Sequence, residues 1–67
     1  MWTAYVNRGA ALQELKRFDA ALDSYDRALK LRPDFADGHY NLGNTLRDLC
    51  RFSEALHHYD RAVALCH

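Results

Sequence analysis

Histidine, cysteine and carboxamide side chains are the groups of this 67-residue chain that have chemistry to offer. His57 and His58 are neighbours, so on a helix they point about 100 degrees apart. Four positions beyond them stand Arg61 and Ala62, which complete no metal-ligand spacing. Both histidines are expected to be solvated. Cys66 beside His67 could contribute to a metal site shared between chains, but a free cysteine is more often a small apolar filler, and no metal and no cofactor is expected. Cys50 and Cys66 are expected at the ends of two helices that run in opposite directions. At ~1.5 Å per residue that separates them by about 20 Å, whereas a disulfide needs α-carbons within about 7 Å. The sequence holds no glycine-rich phosphate loop and no nucleophile elbow, so the chain is expected not to be an enzyme.

The carboxamides are a different case. Asn7 and Asn41 stand 34 residues apart. Each offers a donor and an acceptor together, which suits one peptide unit of a bound backbone. The same groups could instead bond to their own scaffold, as buried amides usually do. Which reading applies depends on the elements that hold them.

Those elements come in duplicate. The stretch RFDAALDSYDRALKL, residues 17–31, returns as RFSEALHHYDRAVAL, residues 51–65. A shift of 34 residues also places Asn7 on Asn41, Gly9 on Gly43, Leu12 on Leu46 and Leu15 on Leu49, with no gap. A fixed register over so varied a set of residues marks a repeated structural unit. Residues 1–67 are read as a single domain, with repeat 1 at 2–35 and repeat 2 at 36–67. Tyr5, Gly9, Leu12 and Leu15 step by four, three and three, one stripe of a first helix; Ala21, Leu22, Tyr25, Ala28 and Leu29 form a stripe on a second.

Four helices are predicted at about 3–15, 20–32, 36–49 and 54–65, with Asp19, Asp34 and Ser53 as candidate N-caps. Pro33 marks the boundary between repeats. Gly9 and Gly43 sit within helical patterns, where glycine costs about 1 kcal/mol against alanine, so close approach of a neighbour is the expected reason for them. Phe18, Tyr25, Phe52 and Tyr59 are expected to fill the core.

The pattern of Tyr5, Arg8, Gly9, Leu12, Ala21, Tyr25, Ala28 and Pro33, repeated as His39, Leu42, Gly43, Leu46, Ala55, Tyr59, Ala62 and His67, resembles the tetratricopeptide repeat. Tyr5 and His39 depart from the family's tryptophan, Arg8 from its leucine and His67 from its proline. The resemblance implies an all-α fold, two helix-turn-helix hairpins stacked as a short right-handed solenoid. It also implies a non-catalytic protein-protein interaction module whose first helices line a concave groove for a peptide or a partner helix.

On helical geometry the groove face carries Thr3, Val6, Asn7, Ala10, Gln13 and Glu14, and in repeat 2 Asp37, Tyr40, Asn41, Asn44, Arg47 and Asp48. Asn7 and Asn41 are similar to the asparagine ladder of protein O-linked N-acetylglucosamine transferases. Capture of a chaperone's terminal carboxylate, another role within the family, is not expected. Val6 and Ala10 stand where lysine and asparagine would be needed, and Asn41 alone matches.

Nine Lys and Arg balance nine Asp and Glu, so charge points neither to nucleic acid nor to an anionic membrane. No apolar run approaches the roughly 20 residues of a membrane span, and no secretory signal opens the chain, so a cytoplasmic location is expected. Two hairpins are fewer than the roughly three repeats that a stable array normally needs. The last helix carries Ala55, Leu56, Tyr59, Ala62 and Val63, a stripe wider than one neighbour covers. Two expectations follow. The chain is a piece of a longer array, or copies form a homo-oligomer by stacking at an edge made of Ala55, Tyr59, Ala62 and Val63 or by exchanging a hairpin.

Overall fold

The computed structural model describes residues 2–65. The expectations placed on Cys66 and His67 (a shared metal site, the disulfide distance and the final repeat slot) lie outside the described residues. Helices α1 (Trp2–Glu14), α2 (Phe18–Leu31), α3 (Ala36–Asp48) and α4 (Phe52–Leu65) make up the described chain. Helix α1 pairs with α2 and α3 with α4; α2 packs on α3, and α1 only touches α3. This is the expected pair of hairpins, with α2 as the element that joins them. No described helix is long and apolar enough to cross a membrane.

The two hairpin turns are identical, and they explain why α2 and α4 begin two residues earlier than predicted. Lys16 and Cys50 both take φ of 63°, in the left-handed region. At each turn the residue in this conformation donates three residues back, Lys16 to Gln13 and Cys50 to Arg47, while the next residue donates five back, Arg17 to Leu12 and Arg51 to Leu46. That is a Schellman closure, which satisfies the terminal carbonyls of the first helix. The carbonyls of Arg17 and Arg51 then accept from Ala21 and Ala55, opening the second helix at once.

The three expected N-caps are therefore corrected. Asp19 and Ser53 lie inside the first turns of α2 and α4 rather than ahead of them, and Arg17, which precedes α2, makes no side-chain cap bond. Asp34 lies two residues before α3; its carboxylate accepts from Arg32 Nε at 3.2 Å. The helical pairs Arg27–Asp23 and Lys30–Asp26 form at 3.0 and 4.0 Å, well exposed and so worth a few tenths of a kcal/mol at most.

Ala21, Tyr25, Leu29, Leu42, Leu46 and Ala55 form the core, with Val6, Leu12, Leu22, Phe35 and Tyr59 packed around it. It is centred on the junction between repeats. Gly9 and Gly43 have the expected reason of close approach, and the structure names the neighbour. A Cβ on Gly9 would stand 2.7 Å from the Tyr25 ring; one on Gly43 would stand 2.8 Å from the Tyr59 ring and 3.2 Å from the Ala55 carbonyl oxygen.

Two aromatic expectations fail: Phe18 and Phe52 both lie outside the core, and Phe52 is 62% exposed. Its counterpart Phe18 is half-buried beside Asn41 and Asp48 of α3, and no helix stands in the equivalent place beyond repeat 2 among the described residues. A second correction concerns the histidines. His57 is exposed as expected, but His58 is half-buried and lies 3.2 Å, Nδ1 to Nδ1, from buried His39.

Candidate binding groove

Of the predicted groove residues, Ala10, Gln13 and Asn41 line one cavity. Val6, Asn7, Ala10 and Gln13 on α1 and Tyr40, Asn41, Asn44 and Arg47 on α3 are all exposed or half-buried. Ala10, Gln13, Glu14, Asn41 and Asp48 line a cavity of about 710 Å³ floored by Phe18 and Tyr25, with Lys16 at its end. Val6 also packs against the core and so serves the scaffold as well as the surface.

Two of the predicted contact residues are already engaged. The hydroxyl of Tyr25 donates to Gln13 Oε1 at 3.0 Å, and that of Tyr59 donates to Asn44 Oδ1. The tyrosines occupy equivalent places in the two repeats, but Gln13 and Asn44 do not. Repeat 1 has Ala10 where repeat 2 has Asn44, and repeat 2 has Arg47 where repeat 1 has Gln13. Neither alanine nor a guanidinium can accept a hydrogen bond. Each tyrosine therefore reaches the one acceptor that its repeat provides, and the acceptor moves by one helical turn between repeats. Burial also raises the pKa of Tyr25, which keeps the hydroxyl a donor.

The carboxamides that the scaffold takes up are thus those of Gln13 and Asn44. Asn7 is exposed and Asn41 half-buried, and among the described residues neither side chain has a hydrogen-bond partner. Thr45 Oγ1 donates to the backbone carbonyl of Asn41 at 3.0 Å, which leaves the amide group itself open.

The edge of repeat 2 differs from its predicted make-up. Ala55 is 2% exposed and belongs to the core, because it faces α3 within its own hairpin. Ala62 is buried as well, at 9% exposed; with Tyr59, Val63, Ala36, Asp37 and Tyr40 it lines a shallow and largely apolar hollow of about 480 Å³. Tyr40 therefore serves the edge as well as the groove face. Its ring lies 5.7 Å from that of Tyr59. Sequence reasoning missed Ala36 and Tyr40 here because it followed the stripe of α4 alone. Among the described residues no cluster of three or more His, Cys, Asp or Glu could hold a metal ion.

Comparison with known proteins agrees with this architecture. A family profile described as TPR repeat matches residues 9–49, and one described as tetratricopeptide repeat matches residues 36–67. No curated protein matches the chain. Among solved structures, a point mutant of MamA is similar at a TM-score of 0.98 and 34% identity, over 100% of this chain and 49% of that one. MamA MSR-1 is similar at 0.94 and 34%, over 97% of this chain and 37% of that one. MamA AMB-1 is similar at 0.94 and 35%, over 97% and 36%. The chain thus spans half or less of these structures. On its two hairpins in a 34-residue register, its tyrosine-filled glycine positions and these matches, the chain belongs to the tetratricopeptide repeat family.

Proposed function

We propose that this chain, a protein-interaction scaffold of the tetratricopeptide repeat kind, holds an extended peptide in the groove between α1 and α3, with no catalytic part of its own. One observation carries the reading. The hydroxyls of buried Tyr25 and half-buried Tyr59 are satisfied by Gln13 and Asn44, so the amides of Asn7 and Asn41 are left free of that task. They stand in the same place of successive repeats. Each can give and accept one hydrogen bond with a peptide backbone. Peptides selected by display on the immobilised chain provide the test. Asn7→Ala and Asn41→Ala should each weaken the selected peptides roughly tenfold with the helical circular dichroism unchanged, as expected for a backbone amide pair lost at an interface. Unchanged affinity in both variants would contradict the proposal.

A second reading is favoured by the hollow formed by Ala36, Tyr40, Tyr59, Ala62 and Val63. On this reading the edge is a site of assembly, covered by a further repeat of a longer array or by another copy, through stacking or an exchanged hairpin. The two readings use different faces and are compatible.

A further inference from the structure

We propose that His39 and His58 form a proton-binding pair that ties the link between the repeats to the last helix and loosens the stack when the pair takes up acid. His39 in α3 is buried, and its Nε2 lies 3.1 Å from the carbonyl oxygen of Pro33, in the link between α2 and α3. A carbonyl only accepts, so Nε2 carries the hydrogen and Nδ1 of the neutral ring is left as an acceptor. His58 Nδ1, 3.2 Å away on α4, is then the donor. The opposite arrangement would set a bare ring nitrogen against a carbonyl oxygen, two acceptors with no hydrogen between them.

The rings are 23° from parallel and their centres are 5.5 Å apart. That separation exceeds the nitrogen-to-nitrogen distance by about two ring radii. Both nitrogens therefore lie between the ring centres with their in-plane axes running toward each other. Such an approach suits one shared hydrogen. A metal ion about 2.0–2.1 Å from each nitrogen needs lone pairs that converge on a third point, so the pair as it stands is not a metal site.

His58 also lines a cleft of about 310 Å³ between α2 and α4 with Leu22, Asp23, Asp26, Arg51 and Glu54. The charged and titratable groups that face it are Asp23 and Asp26 from α2, His39 from α3, Arg51 from the turn, and Glu54 and His57 from α4, the His57 ring edge-on at 5.3 Å. Burial, then His39 and His57, disfavour the charged ring, while Asp26 and Glu54 favour it; the balance lowers the His58 pKa from its ordinary value. A first added proton goes to the outward Nε2 of His58 and keeps the bridging hydrogen. In the unfolded chain the His58 ring is free of these neighbours and takes up a proton more readily, from about pH 6.5 downward. Stability from the pair is therefore complete above that value and is lost as pH falls below it. The loss is expected at the repeat junction, where His39 joins Pro33 to α4.

Nitrogen-15 spectra of the histidine rings, read with urea unfolding across the same range, test this. At about pH 7.5 the expected forms are Nε2–H for His39 and Nδ1–H for His58, and by about pH 5.5 the folded-to-unfolded ratio should fall roughly threefold or more. His57→Gln should keep that fall. His58→Asn, whose amide can still donate to His39, should flatten it. Nε2–H forms on both rings, or a fall undiminished in His58→Asn, would overturn the proposal. The ring spectra are read on the unaltered chain and decide the matter even if His58→Asn does not fold.

Discussion

Trp2, Val6, Tyr25, Ala28 and Leu29 of repeat 1 and Ala36, Tyr40, Tyr59, Ala62 and Val63 of repeat 2 occupy the same places in two copies of one unit. The first set lies on the side of repeat 1 that meets α3, and there Tyr25 is 0% and Leu29 8% exposed. In the second set Ala62 is still buried, but Tyr59, the match of Tyr25, is half-buried, Tyr40 is exposed where Val6 is half-buried, and Val63, the match of Leu29, is 73% exposed. Tyr and Ala recur and Leu29 is matched by Val63, while Trp2 and Val6 are matched by Ala36 and Tyr40; both sets are apolar, and among the described residues only the first has a following helix against it. Each hairpin of a repeat protein buries its face only against a neighbour. The edge of repeat 2 thus corresponds in position to the face that repeat 1 buries against α3, with no further helix packed on it among the described residues. The opposite end of the stack is built differently. Where repeat 2 turns buried Leu42 toward repeat 1, repeat 1 carries exposed Arg8, beside Arg17 and Arg27 around a cavity of about 420 Å³. One end is charged and the other apolar, which gives the stack a direction.

Substitutions at matched places sharpen this contrast. The largest expected effect is at Leu29: truncation to alanine should cost about 2–5 kcal/mol, enough to unfold much of so small a domain, while Val63→Ala should stay within about 0.5 kcal/mol. Equal losses in urea titrations of the two variants would mean that the edge of repeat 2 is covered. Next come the glycines. Gly9→Ala and Gly43→Ala gain about 1 kcal/mol of helix propensity but force a methyl group against a tyrosine ring, so net destabilisation of roughly 1–3 kcal/mol is expected. Gly43→Ala should be the worse of the two, because the Ala55 carbonyl cannot move as a ring can. Thermal melts that rise instead would remove the packing argument.

The turns should show a gain. Lys16→Gly and Cys50→Gly relieve a left-handed backbone and are each expected to stabilise by about 1 kcal/mol in the same melts. Equal gains would confirm that the two closures are equivalent, and a loss at either would break that equivalence. Smallest is Asp23→Ala, which removes the exposed pair with Arg27 and should change stability by no more than a few tenths of a kcal/mol.

Much of the fold was legible because it rests on local spacing. The 34-residue register and the glycine positions survive in the structure, as do the helical stripes except at Leu15, which lies beyond the end of α1 and is exposed, and Leu56, which α4 leaves exposed. The misses share a cause. The caps at Asp19 and Ser53 failed because Lys16 and Cys50 turn the chain through a backbone conformation that neither residue type advertises, and the cap at Asp34 because its carboxylate pairs with Arg32 one residue ahead of the Phe35 N-cap position. The partners of Gln13, Asn44 and His58 come from another helix, 12, 15 and 19 residues away, and a stripe drawn on one helix cannot supply them. Phe52 and Ala55 were misjudged for opposite reasons: one lacks the following helix that its counterpart has, and the other is enclosed by its own hairpin.

The central claim is that repeat 2 ends in an inner face. Light scattering behind size-exclusion chromatography, over a dilution series under reducing conditions, tests it most directly when the chain is compared with Val63→Glu. The expected result is a weight-average mass that rises above the monomer with concentration in the unaltered chain, and a monomer of undiminished helicity in Val63→Glu. A helical monomer at every concentration in both would contradict the claim and leave the groove as the one face with a partner to find.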